Sequence, residues 1–423
     1  LEVVVLTREP FAGRARWLLV ISGIFALSVS LSNTFVNVYL WKVDKSYGAI
    51  GWYNLAVYCV MPVTFVLAGW IAKRVHSVLT LRIGICLHGV FYLTALIGGT
   101  WVARWPTLLG AIMGLAGGFY WCSFNELSLR FTESGSRDRF YGLNGVMGAV
   151  AGIVAPPVAG YLISQEDRWG GLSGYHWIFG LSLALFALAT VLSAKLRAKG
   201  VVGNLSLTVV RESFRVRPWR MILFGCSVYG LREGVFLFLI ALLMYIATGS
   251  ELKLGEFVLL QSALSFVSFY TVSRLLSARR RLWFLGTGSI CMALTALLFL
   301  LPVRASSLVW YGALISVALP LFLVPLQGFV FDTISQLPNA KEHHMEYIIM
   351  REVFENVGRV VGISLFIALV TISPTARTIG TFAVGLGFVQ LITWWLIYLG
   401  QRERTPMENT GHLYAVHRKV RGS

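Results

Sequence analysis

Two stretches hold ionisable side chains inside long apolar surroundings: Tyr229-Gly230-Leu231-Arg232-Glu233-Gly234, and Arg351-Glu352-Val353-Phe354-Glu355-Asn356-Val357-Gly358-Arg359. A charged side chain at the centre of a lipid-embedded helix costs about 2.5–3.5 kcal/mol on insertion scales, so such groups turn inward and find partners. Arg351 and Glu355, and Glu355 and Arg359, are four residues apart and share one helix face. Counted from the nearest polar boundary at 1.5 Å per residue, Glu233 and Arg359 both lie roughly 20 Å deep, and the two can meet if their helices face a common interior. Two chemistries fit these residue types. The six groups Arg232, Glu233, Arg351, Glu352, Glu355 and Arg359 form either a compensated charge network that locks helices together, or a site where a carboxylate exchanges protons while an arginine holds an anionic group. Glu233 is the leading proton carrier by depth; Glu355, with two arginines on its own helix, is expected to stay ionised.

The remaining polar residues of the apolar runs are mostly amides. Asn33, Asn37, Asn144, Gln327 and Asn356 are candidates for a solute cavity, together with the aromatic pair Tyr120 and Trp121; Asn54 and Asn125 are expected to make interhelical hydrogen bonds. His88 is expected to be structural. The run Glu342-His343-His344-Met345-Glu346 lacks the ligand spacing of a metal centre, and the five cysteines, dispersed through apolar runs with no CxxC pair, suggest neither zinc nor disulfides. No cofactor and no metal are expected.

The elements that position these groups follow from composition. The chain has 423 residues, 57% hydrophobic and 13% charged, about half the charge of a soluble domain. Lipid must therefore face most of its exterior. The net charge of +17 sits in short clusters between apolar runs, the pattern of loops facing anionic headgroups rather than of a nucleic-acid binder. Runs of the length needed to cross hydrocarbon, about 20 residues, occur at 17–41, 51–72, 79–100, 105–130, 140–163, 175–195, 219–247, 256–277, 283–302, 307–331, 347–370 and 376–400. The tightest junction is the third, Trp101–Trp105. Lysines and arginines are roughly three- to fourfold more abundant on the loops that share a side with the N-terminus, which predicts that both termini are cytoplasmic. The stretch before Arg16 lacks the pattern of a cleaved signal, and the first span is expected to act as an uncleaved anchor.

The basic interruption from Lys195 to Arg220 divides six spans from six. It predicts two bundles, 1–194 and 219–400, joined by a basic linker at 195–218 and followed by a cytoplasmic tail at 401–423. Ser30–Leu40 runs parallel to Gly230–Ile240, Gly51 to Gly255, and Phe124-Asn125 to Phe331-Asp332, at spacings of about 200 to 207, as a tandem duplication requires. In this register Asn33 faces Glu233 across the repeat.

This arrangement of six plus six spans, a basic central loop and inside termini resembles the major facilitator superfamily over essentially the whole chain. The loop signature between spans two and three is represented by Gly69-Trp70-Ile71-Ala72-Lys73-Arg74, with Lys73 in place of the acid, so that Gly69, Lys73 and Arg74 stand where a cytoplasmic gate is expected. The fifth span, from Gly145 through Gly148 and Gly152 to Pro156-Pro157 and Gly160, is similar to a degraded drug/proton antiporter signature, with Ala155 before the prolines where a glycine is usual. The stretches around Leu231–Gly234 and Arg351–Arg359 resemble those of a bacterial subgroup. The resemblance implies an all-α fold of two pseudo-symmetric six-helix bundles in the cytoplasmic membrane. It also implies a monomeric, non-enzymatic, alternating-access transporter of a small organic solute, anionic or amphipathic, coupled to protons, with a tilt towards efflux. A lipid or glycolipid flippase and a non-transporting receptor or assembly protein are the alternatives.

Overall fold

The computed structural model describes residues 13–132, 134–165, 173–197 and 205–402. The stretch before residue 13, linker residues 198–204 and the expected tail beyond Arg402 lie outside them. Every extended apolar run is helical, as it must be where no water is available to satisfy backbone N–H and C=O groups. Twelve helices among the described residues are long and apolar enough to cross a membrane, and the protein is a multi-pass integral membrane protein.

The first six helices are α1 (Gly13–Asp44), α2 (Tyr47–Arg74), α3 (Ser77–Ala103), α4 (Pro106–Phe131), α5 (Ser134–Ser164) and α6 (Ser173–Ser193). After a short helix at Leu207–Ser213 follow α7 (Arg217–Thr248), α8 (Glu251–Leu275), α9 (Arg281–Ala296), α10 (Ala305–Gln336), α11 (Ala340–Ile372) and α12 (Ala376–Arg402). Most helices run several residues past the apolar runs, because hydropathy registers only the portion in hydrocarbon. The tight third junction is real: Arg104 and Trp105 alone separate α3 from α4, with Pro106 pre-set for the first turn.

The duplication is visible in turn chemistry. α1 and α7 begin and end 204 residues apart. Each closes on a residue in the left-handed region, Lys45 (φ 51°) and Gly249 (φ 62°), whose N–H donates to Trp41 and Tyr245. Each is followed by a serine that caps the next helix, Ser46 accepting from the Ala49 N–H and Ser250 from the Lys253 N–H. Farther on, Thr64 of α2 donates to the Gly114 carbonyl of α4, and Ser268 of α8 to the Val317 carbonyl of α10. A Cβ on Gly84 would lie 2.5 Å from the Tyr120 N, and one on Gly288 2.5 Å from the Phe322 N.

By proximity the chain forms two compact units. The first comprises the described residues of Leu1–Leu205 with Phe238–Ala263. Inside it Gly110, Gly114 and Gly118 bring the α4 backbone onto α2; a Cβ on Gly114 would lie 2.5 Å from the Val57 carbonyl oxygen. The start of α8 is seated on α5 in the same way, since a Cβ on Gly255 would lie 2.6 Å from the Pro156 oxygen. There Glu251, buried in the first turn of α8, accepts from Lys42 Nζ at 2.8 Å and from the Tyr175 hydroxyl at 3.1 Å. Lys42 sits in the last turn of α1, so each charge also lies at the favourable end of its helix. Lys42→Met is expected to destabilise the protein by about 1.5–3 kcal/mol, as loss of a charged hydrogen bond does. Glu251→Gln, which leaves only the more exposed Lys42 without its anion, should cost less. Equal losses in thermal unfolding would remove charge from the account.

The second unit comprises Ser206–Leu237 and the described residues of Leu264–Ser423. In it the short helix Leu207–Ser213 is tied to α11: the Ser206 N–H donates to Glu346, Ser213 contacts the Met350 sulfur, and Phe214 packs on Phe354. Arg281, opening α9, is ion-paired with Asp332 of α10.

Candidate functional site

The charged groups of α7 and α11 meet because glycine lets the two backbones touch. Gly230 and Gly234 on α7, and Gly358 and Gly362 on α11, are each four apart and so share a face. A Cβ on Gly234 would lie 2.8 Å from the Arg359 Cα; one on Gly230 would collide with the Glu355 carbonyl oxygen, one on Gly358 with that of Ser227, and one on Gly362 with that of Leu231. These are reciprocal small-xxx-small contacts. The spacing is legible in the sequence as Gly-x-x-x-Gly in both helices, and it is the signal that the charge-centred reading passed over.

On this seam Arg359 is the hub. Its Nε donates to Glu233 Oε2 at 2.7 Å and its Nη2 lies 2.6 Å from the same oxygen. Nη2 also donates to Glu355 Oε1 at 2.5 Å, and Nη1 to Asn356 Oδ1 at 3.1 Å and to Glu352 Oε1 at 3.4 Å. Arg351 takes the other Glu355 oxygen, and Asn356 donates to Glu352. Glu233 accepts a further hydrogen bond, 3.0 Å, from the Tyr229 hydroxyl. Three carboxylates therefore surround two guanidiniums, and the cluster carries one net negative charge when all five are ionised. Glu233 is its most open carboxylate, with 20% of its side chain exposed against 11% for Glu352 and 4% for Glu355.

Arg232 is not part of this cluster. It is one residue, about 100° of helical turn, from Glu233 and points to α10. There its Nη2 donates to the Tyr311 hydroxyl at 2.9 Å and its guanidinium lies 4.3 Å from the Phe236 ring centroid.

The other candidates disperse. Asn37 is buried and accepts from Asn54 Nδ2 at 2.9 Å, the interhelical amide bond foreseen for Asn54. Asn144 accepts from Ser22 at 2.7 Å. Tyr120 is buried and stacked on Phe25, which makes it packing between α4 and α1, whereas Trp121 is exposed. Asn33 is exposed and Gln327 half-buried. The alignment of Asn33 with Glu233 is corrected by one helical turn: the 204-residue repeat sets Asn33 opposite Leu237 and Glu233 opposite Val29. Gly69 and Lys73 are buried at the end of α2, and Arg74 lies over the Trp70 ring. His88 is buried, bonded to the Gly84 carbonyl and packed against Phe186. Among the described residues no group of three or more His, Cys, Asp or Glu is arranged to hold a metal ion.

Residues 18–362 match the family model described as Major Facilitator Superfamily. The chain is 40% identical over 357 residues to "Uncharacterized protein YqgE" of Bacillus subtilis (strain 168), covering 84% of this chain and 82% of that protein. It is 44% identical over 162 residues to "Uncharacterized protein in sodM 3'region" of Geobacillus stearothermophilus, 38% of this chain and 74% of that protein. Among solved structures, a mutant of the nucleoside transporter NupG superposes with a TM-score of 0.68 at 15% identity, over 92% of this chain and 100% of that one. A bacterial homologue of the iron transporter ferroportin, in an outward-facing state, gives 0.67 at 14% identity, over 92% and 99%. At these identities the two structures speak for the fold alone.

Proposed function

Since the chain belongs to the major facilitator superfamily, and so moves something across a membrane rather than catalysing a reaction, we propose that it is a proton-coupled transporter of a small organic solute. The moving bodies are the two six-helix halves divided at the basic linker 195–218, both termini are cytoplasmic, and the membrane is the cytoplasmic membrane of a bacterium. The resemblance of α5 to an antiporter signature supports export as the direction.

One observation carries the coupling. The α7–α11 cluster holds three carboxylates against two arginines, and its most open carboxylate, Glu233, is bound by the arginine that also binds the other two. A buried cluster with one excess charge is stabilised by one added cation, and a proton on Glu233 neutralises it. That proton also cancels the attraction that holds Arg359 across from α11 to α7, so protonation loosens this charged tie between the helices. Glu355, held by two arginines, keeps its charge through the cycle.

Glu233→Gln tests this reading. In proteoliposomes with an imposed pH gradient, the wild-type protein is expected to show solute-dependent proton movement for some member of a broad metabolite and drug panel. The Gln variant, nearly isosteric, should fold and bind but lose the dependence on the gradient. Flux that follows the gradient equally in both would end the proposed role of Glu233.

A further inference from the structure

Among the described residues Arg232 is a buried cation without an anion: it is 5% exposed, and none of their carboxylates lies within ion-pair distance of it. Its Nε has no hydrogen-bond partner. What surrounds it is aromatic: the Phe236 ring beneath the guanidinium, the Tyr311 hydroxyl at its edge, and Phe299 against both rings, with centroids 5.9 Å from Phe236 and 4.6 Å from Tyr311. Removing an ammonium-like charge from water costs several kcal/mol unless it is paired, and a phenol with one cation–π contact returns only part of that. No carboxylate of the nearby α7–α11 cluster pairs directly with it: they are engaged by Arg351, Arg359, Asn356 and Tyr229, and the excess negative charge of that cluster offsets Arg232 only at longer range. Tyr311 further adjoins an apolar surface dip at the turn between α9 and α10, lined by Phe299, Leu301, Val303, Ser307 and Leu308, which in this conformation is too shallow to hold a water molecule. Leu301 at its rim is exposed.

We propose that Arg232 is an anion-binding residue, and that its ligand is a monocarboxylate with an apolar body. This rests on the transporter reading and adds the class of solute to it. The charge count sets the valence: one unpaired guanidinium neutralises one negative charge, whereas a phosphate dianion would call for a second cation that the Phe236–Phe299–Tyr311 box does not supply. The carboxylate takes the free Nε–H and a neighbouring N–H in the two-point geometry that guanidinium offers. The apolar body lies against the aromatic rings, and seating it requires the side chains over the dip beyond Tyr311 to move apart. Proton handling by Glu233 and anion binding by Arg232 are thus given to adjacent residues on different faces of α7, so the two can be separated by experiment.

The test is equilibrium binding by purified protein, with no gradient present. Thermal unfolding is followed with acetate, hexanoate and benzoate, each beside its uncharged amide. A ligand that binds only the folded state raises the melting temperature by mass action, and hexanoate and benzoate at saturating concentration are expected to raise it by about 2–4 °C. Acetate should do less and the amides nothing. Arg232→Gln should abolish the carboxylate response, and Arg232→Lys should keep part of it. Should the Gln variant fail to fold, Tyr311→Phe carries the test, since it frees another guanidinium N–H and should enlarge the carboxylate-specific rise. No response to any carboxylate, an equal response to the amides, a response that survives Arg232→Gln, or an unchanged one in Tyr311→Phe overturns the proposal. Because Glu233→Gln should leave these shifts intact, loss of proton coupling and loss of anion binding are told apart.

Discussion

Gly358→Leu is expected to abolish the folded protein. A side chain there has no room: even a Cβ would run into the Ser227 carbonyl, and the equally tight contacts of Gly362 one turn on and of the facing Gly230 and Gly234 allow no compensating shift in register. Overpacking of a well-packed interface ordinarily costs about 1–3 kcal/mol, but here the obstacle is backbone on both sides and the helices must separate. Separation would also pull Arg359 from Glu233, leaving buried charges without partners, and the two losses compound. The measurement is the yield of monodisperse protein in mild detergent, with Gly385→Leu as control. Gly385 lies on the exposed face of α12, where a Cβ would meet nothing within 4 Å, and that variant should behave as wild type. A Gly358→Leu protein as abundant and as stable as the control would mean that the α7–α11 contact does not hold the fold.

Arg359→Leu should have the second largest effect. It removes the hub from three carboxylates and leaves Glu233 with only the Tyr229 hydroxyl. Breaking a buried pair by deleting one partner costs about 3–5 kcal/mol. Most of that is the stranded negative charge, so Glu233→Gln in the same chain should restore a substantial part, and the double variant should be more stable than Arg359→Leu alone. Thermal unfolding at two pH values adds a second reading. With the arginine gone, the stranded carboxylates can be neutralised by protons, so the single variant should gain stability relative to wild type as pH falls. Additive losses with no dependence on pH would show that Arg359 acts through packing and not through charge.

Much of this fold was legible because lipid restricts the choices. Runs long enough to cross hydrocarbon located the twelve long helices of the described residues, and the basic interruption at Lys195–Arg220 begins after the sixth and ends in the first turn of the seventh. Helical rise alone put Glu233 and Arg359 at one depth, and they do meet, at 2.6–2.7 Å. Facing direction was harder to read. Arg232 and Glu233 are neighbours in sequence, yet the turn of the helix sends one to α10 and the other to α11, and no apolar periodicity marks the difference in a helix apolar all round. The same uniformity hid the register of the repeat, because a slip of four residues returns to the same helix face. The turn chemistry at Lys45-Ser46 and Gly249-Ser250, with the matched contacts of Thr64 and Ser268, fixes it. Tyr120 and Asn37 looked like cavity residues by type, and their burial against Phe25 and Asn54 follows from tertiary neighbours that spacing does not specify.

The assignment of Phe238–Ala263 to the first unit bears on how the chain can be divided. Severing the polypeptide in the basic segment after α6 gives two fragments that look complete by helix number. The amino-terminal one would nevertheless lack the residues that seat against Pro156 and neutralise Lys42, and would display an unfilled groove. Such fragments should therefore accumulate only when synthesised together, each acting as the other's chaperone, and a fluorescent reporter split across that cut would register assembly rather than mere proximity.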